Sequence, residues 1–151
     1  MQTMSRREVL MLASGGATAL VILGESSALA TPAEADAEIA KFTNGKTMEQ
    51  GKITVELPEI AENGNTIPLL ITVDSPMTAE DYVSEVFVVT DGNPRPRVVT
   101  FHFTAMSGRA LAATRIRLAS TENVIVVAKT GDGRFFTAQK QVKVTIGGCG
   151  G

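Results

Sequence analysis

The sequence predicts a mainly β protein, an immunoglobulin-like antiparallel β-sandwich of about seven strands with a short N-terminal helix and a flexible C-terminal arm. Apolar and polar residues alternate in short runs from residue 52 onwards, which is the period of a half-buried strand. Turn-forming residues separate these runs at short, regular intervals, as in β-sandwiches. A stretch with helical spacing precedes the runs, at residues 31–45.

The helix is predicted to begin after Thr31 and to end at Asn44-Gly45. Thr31 is a suitable N-cap, Pro32 takes the first helical position, and Glu34 stands three residues after the cap, which is the spacing of a capping box. Asn and Gly readily adopt the left-handed conformation that ends a helix. Because the polar face is acidic, we expect the helix to pack on the domain rather than on a membrane. Its apolar face is formed by Ala35, Ile39 and Phe42.

Strands are predicted for residues 52–57, 66–73, 83–90, 98–104, 110–118, 124–128 and 134–146. Asp132-Gly133 predicts a tight hairpin before the last of them. Residues 86–89 and 124–127 are apolar on both faces of their strands, which a simple sandwich does not require. Either other elements of the domain cover the outer face of these strands, or a partner protein docks there.

The composition limits the classes of function. The chain has 151 residues and a formal net charge of −2, and it has no basic cluster, which argues against nucleic acid as a ligand. Its single cysteine cannot form an internal disulfide, so the hydrophobic core has to stabilise the domain. The sequence has no Ser-His-Asp set, paired-carboxylate motif or phosphate-binding loop. We therefore predict that the protein is not an enzyme.

Residues 1–30 have the pattern of a twin-arginine signal peptide. Arg6 and Arg7 precede a moderately apolar run, and the small residues that end at Ala30 predict cleavage after that residue. The alternative is a transmembrane anchor, but polar and glycine residues interrupt the run, which falls short of about 20 strongly apolar residues. The sandwich domain would then comprise residues 31–146 and work in the periplasm. The twin-arginine route exports folded proteins, and because no cofactor motif is present we expect a partner protein exported with this one.

The last five residues, Gly147, Gly148, Cys149, Gly150 and Gly151, are predicted to form a flexible arm. Five extended residues span roughly 17 Å, so a thiol on this arm can enter a narrow cleft of another protein. The sequence thus indicates a carrier with its cargo on Cys149. No His, Lys or Arg lies within five residues of Cys149 to favour the thiolate, so partner enzymes have to activate it. The alternatives are a frayed tail, or a structural module whose cysteine only forms an intermolecular disulfide.

The remaining candidate sites are weak. His102 alternates with two phenylalanines and has no Cys, Asp or Glu at metal-ligand spacing, so no metal site is predicted there. Arg115 and Arg117 project from the same face of a strand, where they are solvated or meet an acidic partner. The scattered methionines do not support a copper site: Met48, Met77 and Met106.

Several stretches together carry a family resemblance. The most specific is the closing Gly-Gly-Cys-Gly-Gly pentapeptide, and the twin-arginine leader agrees with it. The interior stretches are residues 74–78, Asn93-Pro94-Arg95-Pro96 and residues 114–119. Together they resemble the SoxY family, the sulfur-carrier subunits of the bacterial thiosulfate-oxidising Sox multienzyme system. The resemblance spans essentially the whole mature chain.

The resemblance implies a heterodimer with a SoxZ-like subunit, which would account both for export as a folded complex and for the strands that are apolar on two faces. It implies that the haem enzyme SoxAX couples thiosulfate to Cys149 as an S-thiosulfonate. SoxB would then hydrolyse off sulfate, and a sulfane dehydrogenase or another sulfur acceptor would process the remaining persulfide. Haem and metals belong to those enzymes, and this chain is expected to hold no cofactor besides the sulfur species on Cys149.

A C-terminal Gly-Gly also resembles the ubiquitin-like sulfur carriers, which hold sulfur as a thiocarboxylate on the last glycine. Those carriers require activation by ATP, which an exported protein lacks. They also leave Cys149 unexplained. The sequence therefore favours the cysteine as the sulfur attachment site.

Overall fold

The computed structural model describes residues 31–147 of the chain. Within this range it contains helix α1 (Pro32–Thr43), nine strands and a short 3₁₀ turn (Ala105–Ser107). The strands are β1 (Glu49–Gln50), β2 (Ile53–Glu56), β3 (Ile60–Ala61), β4 (Ile67–Val73), β5 (Val83–Thr90), β6 (Arg97–His102), β7 (Ala110–Ile116), β8 (Glu122–Thr130) and β9 (Phe135–Val144).

The strands form two sheets that face each other. The larger has six strands in the order β1-β9-β8-β5-β6, with β3 also pairing with β9, and the smaller has the order β2-β4-β7. Pairing is antiparallel except where β1 and β3 lie parallel to β9. The predicted sandwich is confirmed, and all seven predicted strands are present. The two additional strands have two residues each, which is too short for an alternating pattern to indicate.

The main core lies between the two sheets. Alternate residues of β4 are buried while their neighbours are more exposed, as expected for a strand with one face on the core. The large sheet contributes Val86 and Val88 from β5, and Val124 and Val126 from β8, to the same cluster. All four of these side chains are almost completely buried.

Helix α1 covers the other face of the large sheet. Its start has the predicted capping box, in which the Glu34 N–H donates to Thr31 Oγ1 and the Thr31 N–H donates to the Glu34 carboxylate. Asn44 ends the helix in the left-handed conformation, with φ of 52°. Ile39 and Phe42 on the apolar face of α1 form a second hydrophobic cluster with buried side chains of the large sheet: Phe87, Val89, Val127 and Phe135.

This packing decides between the two explanations for the two-faced strands. Residues 87 and 89 of β5 and residue 127 of β8 lie beneath α1, so an element of the domain itself covers the outer face there. The ring centroids of Phe42 and Phe87 are 4.8 Å apart, within the range of a favourable aromatic pair. Neither helix within residues 31–147 has the length and apolar character needed to cross a membrane.

Candidate functional site

Most of the predicted functional residues lie outside the described part of the chain. Gly148, Cys149, Gly150 and Gly151 follow it, while Arg6, Arg7 and Ala30 precede it. Gly147 is the one residue of the predicted arm that the structure describes. The structure therefore shows the point from which the arm departs, and we call residues 143–147 the arm root.

A neighbouring segment, residues 59–64, holds one side of the arm root. Strand β3 lies parallel to Lys143 and Val144. The Thr145 N–H donates to the Ala61 carbonyl oxygen at 3.0 Å, and Thr145 Oγ1 donates to the Glu62 carbonyl oxygen at 2.9 Å. The chain is thus hydrogen-bonded beyond the last residue of β9.

Gly64 connects the arm root to the core. Its N–H donates to the Ile146 carbonyl oxygen at 2.7 Å, and its own carbonyl oxygen accepts from the Leu118 N–H at 2.9 Å. The Leu118 side chain is completely buried in the main core. Ile146 is therefore connected to the core through two backbone hydrogen bonds, although its own side chain is largely exposed.

Gly147 lies directly against the backbone of Ala119. A Cβ atom built on Gly147 would be 2.0 Å from the Ala119 carbonyl oxygen and 3.1 Å from its carbonyl carbon. The first distance is far inside van der Waals contact, so any side chain at this position would push the two backbone segments apart. Glycine at position 147 is required by this close approach, independently of any flexibility that the sequence pattern suggests.

The Asn93 side chain fixes the segment that Gly147 touches. Its Nδ2 donates to the Arg117 carbonyl oxygen, and its Oδ1 accepts from the Ala119 N–H, both at 2.8 Å. Asn93 is only 8% exposed, so this pair of hydrogen bonds is shielded from water. The amide group pairs with residues 117–119 as the backbone of an adjacent strand would.

A buried carboxyl group lies beneath the same loop. Glu122, at the start of β8, is 3% exposed, and neither of its carboxyl oxygens has a hydrogen-bond partner within residues 31–147. Burial, and then the nearby Asp91 carboxylate, raise the pKa of Glu122 to about 8. Gly92 lies over this group, since a Cβ there would be 2.1 Å from Glu122 Oε2. The carboxyl group is thus predominantly protonated at neutral pH.

The other candidate residues are dispersed. His102 is on the exposed side of β6, with Nδ1 3.6 Å from the Glu85 carboxylate. Met77 is buried, whereas Met48 and Met106 are exposed. No group of three His, Cys, Asp or Glu side chains that could hold a metal ion occurs among residues 31–147.

Arg115 and Arg117 are both exposed, as their alternation predicts. Arg115 Nη1 is 3.4 Å from Thr66 Oγ1, and its side chain lines a groove of about 810 Å³. Charged and apolar side chains share the lining of this groove, including Glu56, Lys140, Leu57 and Leu70.

Comparison with known proteins identifies the family. The family model described as sulfur oxidation protein SoxY matches residues 39–149. The chain belongs to the SoxY family. The match includes most of the SoxY domain described above and extends to Cys149, so the family predicted from the sequence motifs is confirmed.

Solved structures agree with this assignment. The sulfur carrier protein SoxY from Chlorobium limicola f thiosulfatophilum has 30% sequence identity and a TM-score of 0.63, and the match covers 76% of this chain and 98% of that one. A superoxide reductase (neelaredoxin) from Ignicoccus hospitalis has 16% identity and a TM-score of 0.56, covering 77% and 94% of the two chains. The second likeness concerns the fold alone. No curated protein matches the sequence.

The sequence motifs do not reveal how the residues around the arm root contact one another, although Asn93 begins one of the stretches that resemble the SoxY family. Asn93 lies within a proline-containing loop of the sequence, but its bonds to residues 117 and 119 span 24 and 26 positions and leave no local pattern. The sequence indicates only a turn at Gly64. Glu122 carries a weak signal, since this acidic residue stands two positions before the apolar run at residues 124–128, but burial cannot be inferred from that position.

Proposed function

We propose that this SoxY-family chain is a periplasmic sulfur carrier, which holds thiosulfate-derived sulfur on Cys149 and presents it to the enzymes of thiosulfate oxidation. The observation that carries the proposal is the family match over residues 39–149, which extends through the only cysteine of the chain. The similar SoxY from Chlorobium is itself a sulfur carrier protein, which supports the same role here. The role proposed for the chain is transport of a covalent substrate, with catalysis left to other proteins.

Loading joins two sulfur atoms and releases two electrons. The Cys149 thiolate and the sulfane sulfur of thiosulfate form an S–S bond, Cys–S⁻ + ⁻S–SO₃⁻ → Cys–S–S–SO₃⁻ + 2e⁻. A haem enzyme of the SoxAX type accepts these electrons. The carrier supplies only the nucleophilic sulfur, and reactivity depends on the thiolate form.

Sulfate is then released by hydrolysis. Water attacks the terminal sulfur of the adduct in an enzyme of the SoxB type, Cys–S–S–SO₃⁻ + H₂O → Cys–S–S⁻ + SO₄²⁻ + 2H⁺. No electrons leave in this step. The remaining persulfide passes to a sulfane dehydrogenase or another sulfur acceptor. Each of these enzymes has to reach the same sulfur atom, the one that Cys149 holds.

Export and pairing complete the proposal. The capping box at Thr31 is adjacent to the proposed cleavage after Ala30, so removal of residues 1–30 would leave the folded domain complete. We propose export by the twin-arginine route together with a SoxZ-like subunit. The proposed function does not require this chain to bind a cofactor.

The decisive test is Cys149→Ser in the reconstituted system with its partner proteins. We expect the rate of thiosulfate oxidation to fall to background, because serine cannot form the S–S adduct, while the heterodimer persists by size-exclusion chromatography. Intact-mass measurement of the wild-type protein during turnover should show reductant-removable additions of one sulfur or one thiosulfate. Oxidation that persists in Cys149→Ser would overturn the carrier role, and loss of the heterodimer would favour the structural alternative.

A matched control tests whether turnover needs the thiol at position 149 or only an exposed thiol anywhere on the protein. The double variant Cys149→Ser/Arg109→Cys places the only thiol on an exposed residue next to β7. We expect no turnover by this variant, although a small thiol reagent should label it fully. Turnover by the double variant would show that the location of the thiol at position 149 is unimportant.

A further inference from the structure

We propose that Asn93 is a positioning residue for the C-terminal arm, and that its side-chain amide and the close approach of Gly147 to Ala119 together fix the place from which Cys149 is presented. The inference rests on the proposed carrier role of Cys149. It assigns a function to a loop that lies 56 positions before the cysteine in the sequence.

The first step is the double hydrogen bond of Asn93. One amide group bonds to the carbonyl of Arg117 and to the N–H of Ala119 at 2.8 Å each. These residues follow β7, where no strand of the small sheet continues the pairing. The amide therefore holds in place a short segment that the sheets leave without a ladder partner.

The second step is the contact between this segment and the arm root. Gly64 links Leu118 to Ile146 through two backbone hydrogen bonds, and the Ala119 carbonyl lies where a side chain of Gly147 would be. Residues 145, 146 and 147 each have a specific contact with residues 61–64 or 119. The backbone is thus positioned up to Gly147, beyond the last residue of β9.

The third step is the short chain length to the thiol. Two peptide units separate Gly147 from Cys149, so the Cα atoms of these residues are at most about 7 Å apart. A shift of the arm root by one or two ångströms therefore displaces a substantial part of the region that Cys149 can reach. Misplacement of a reacting group by about 1 Å can lower a rate roughly 100-fold.

The test measures position directly and does not depend on sulfur chemistry. Because Cys149 is the only cysteine, a nitroxide can be placed on it, with a second nitroxide on Met106→Cys. Met106 is 96% exposed and precedes β7, whereas Ala119, which Gly147 contacts, follows β7. The seven residues of β7 span roughly 23 Å and lie between Met106 and Ala119. Pulsed electron paramagnetic resonance of the SoxZ-free full chain should then give a reference distance distribution.

We expect Asn93→Ala and Gly147→Ala each to shift or broaden this distribution. Asn123→Ala is the matched control, because the Asn123 side chain bonds to Asp91 in the same loop at 2.6 Å but has no hydrogen bond to residues 117–119. An unchanged distribution in Asn93→Ala, or an equal change in Asn123→Ala, would overturn the proposal. If Asn93→Ala does not fold, Asn93→Asp carries the test, because aspartate keeps the acceptor for the Ala119 N–H but loses the donor to the Arg117 carbonyl oxygen.

A second measurement connects position with function. At a temperature where all variants are folded, the kcat/KM for enzymatic loading of Cys149 should fall about tenfold or more in Asn93→Ala and Gly147→Ala. The rate of reaction with a small disulfide reagent should remain within about twofold of wild type, because such a reagent needs no particular orientation of the arm. Equal losses with enzyme and reagent, or no loss with the enzyme, would contradict positioning. Failure of the carrier role itself would instead appear in Cys149→Ser and leave the distance result intact.

Discussion

Two regions of the domain, the outer face of the large sheet and the arm root, are stabilised in different ways. The outer face of the large sheet is covered by α1 through apolar contacts, with Phe87 2% exposed beneath the helix. The arm root is held by backbone and amide hydrogen bonds, by Thr145, Gly64 and Asn93, and by one close approach at Gly147. Ile146, within the arm root, keeps its side chain 67% exposed.

Because of this difference, the face beneath α1 contributes mainly to folding stability, and the arm root mainly to the position of the arm. Apolar burial is non-directional and scales with area, so the helix-covered face can contribute strongly to folding without fixing any single atom. Hydrogen bonds contribute less net free energy but require particular distances and directions. We therefore expect changes beneath α1 to alter the free energy of unfolding most, and changes at the arm root to alter presentation of the arm most.

Phe87→Ala is expected to have the largest effect. Phe87 packs on Phe42 with ring centroids 4.8 Å apart, and truncating a buried phenylalanine typically lowers the free energy of unfolding by about 3–5 kcal/mol. Urea denaturation measures this loss. The matched control is Phe103→Ala, which removes the same ring from a half-buried position and should cost clearly less. The distance distribution of labelled Cys149 should stay unchanged in both variants, and a shift would show that the two regions are coupled.

Glu122→Gln tests the buried carboxyl group near the arm root. The folded state keeps this group protonated to a pKa of about 8, against an ordinary value of 4.5. Between these values the folded state binds the proton that the unfolded state has lost. The contribution of Glu122 to the free energy of unfolding is therefore fully present below about pH 4.5. It declines by at most ~1.4 kcal/mol per pH unit until about pH 8.

The neutral glutamine variant should lack this decline. Thermal unfolding of both proteins across this pH range measures it, and the difference in Tm between Glu122→Gln and wild type should grow in favour of the variant as the pH rises. Parallel pH profiles would show that Glu122 ionises normally in the folded protein. The comparison between the two proteins removes the contribution of the other titrating groups.

Thr31→Ala is expected to have the smallest effect. It removes the side-chain acceptor of the capping box, which typically lowers stability by about 1 kcal/mol. Thermal unfolding measures the change, and Thr47→Ala, at an exposed position outside α1, provides the control. Equal Tm values for the two variants would show that the cap contributes nothing to the packing of α1 on the sheet.

The local elements could be predicted from the sequence because their signals are local. The capping box spans three residues, the Asn44 cap lies at the end of the apolar stripe, and the Gly133 turn joins β8 to β9 with φ of 83°. The alternation in β4 likewise indicates its buried face. The family could be inferred for the same reason, since a contiguous pentapeptide and a few short motifs carry it.

The sequence by itself thus determined the helix, the seven main strands, the sandwich fold class and the membership in the SoxY family. Only the tertiary structure decided that α1 covers the two-faced strands, that Glu122 is buried, and that Asn93, Gly64 and Ala119 meet at the arm root. The physical reason is the range of the interactions. Capping and alternation act between residues a few positions apart, whereas these contacts join segments 24 to 93 positions apart that meet only after both sheets have paired.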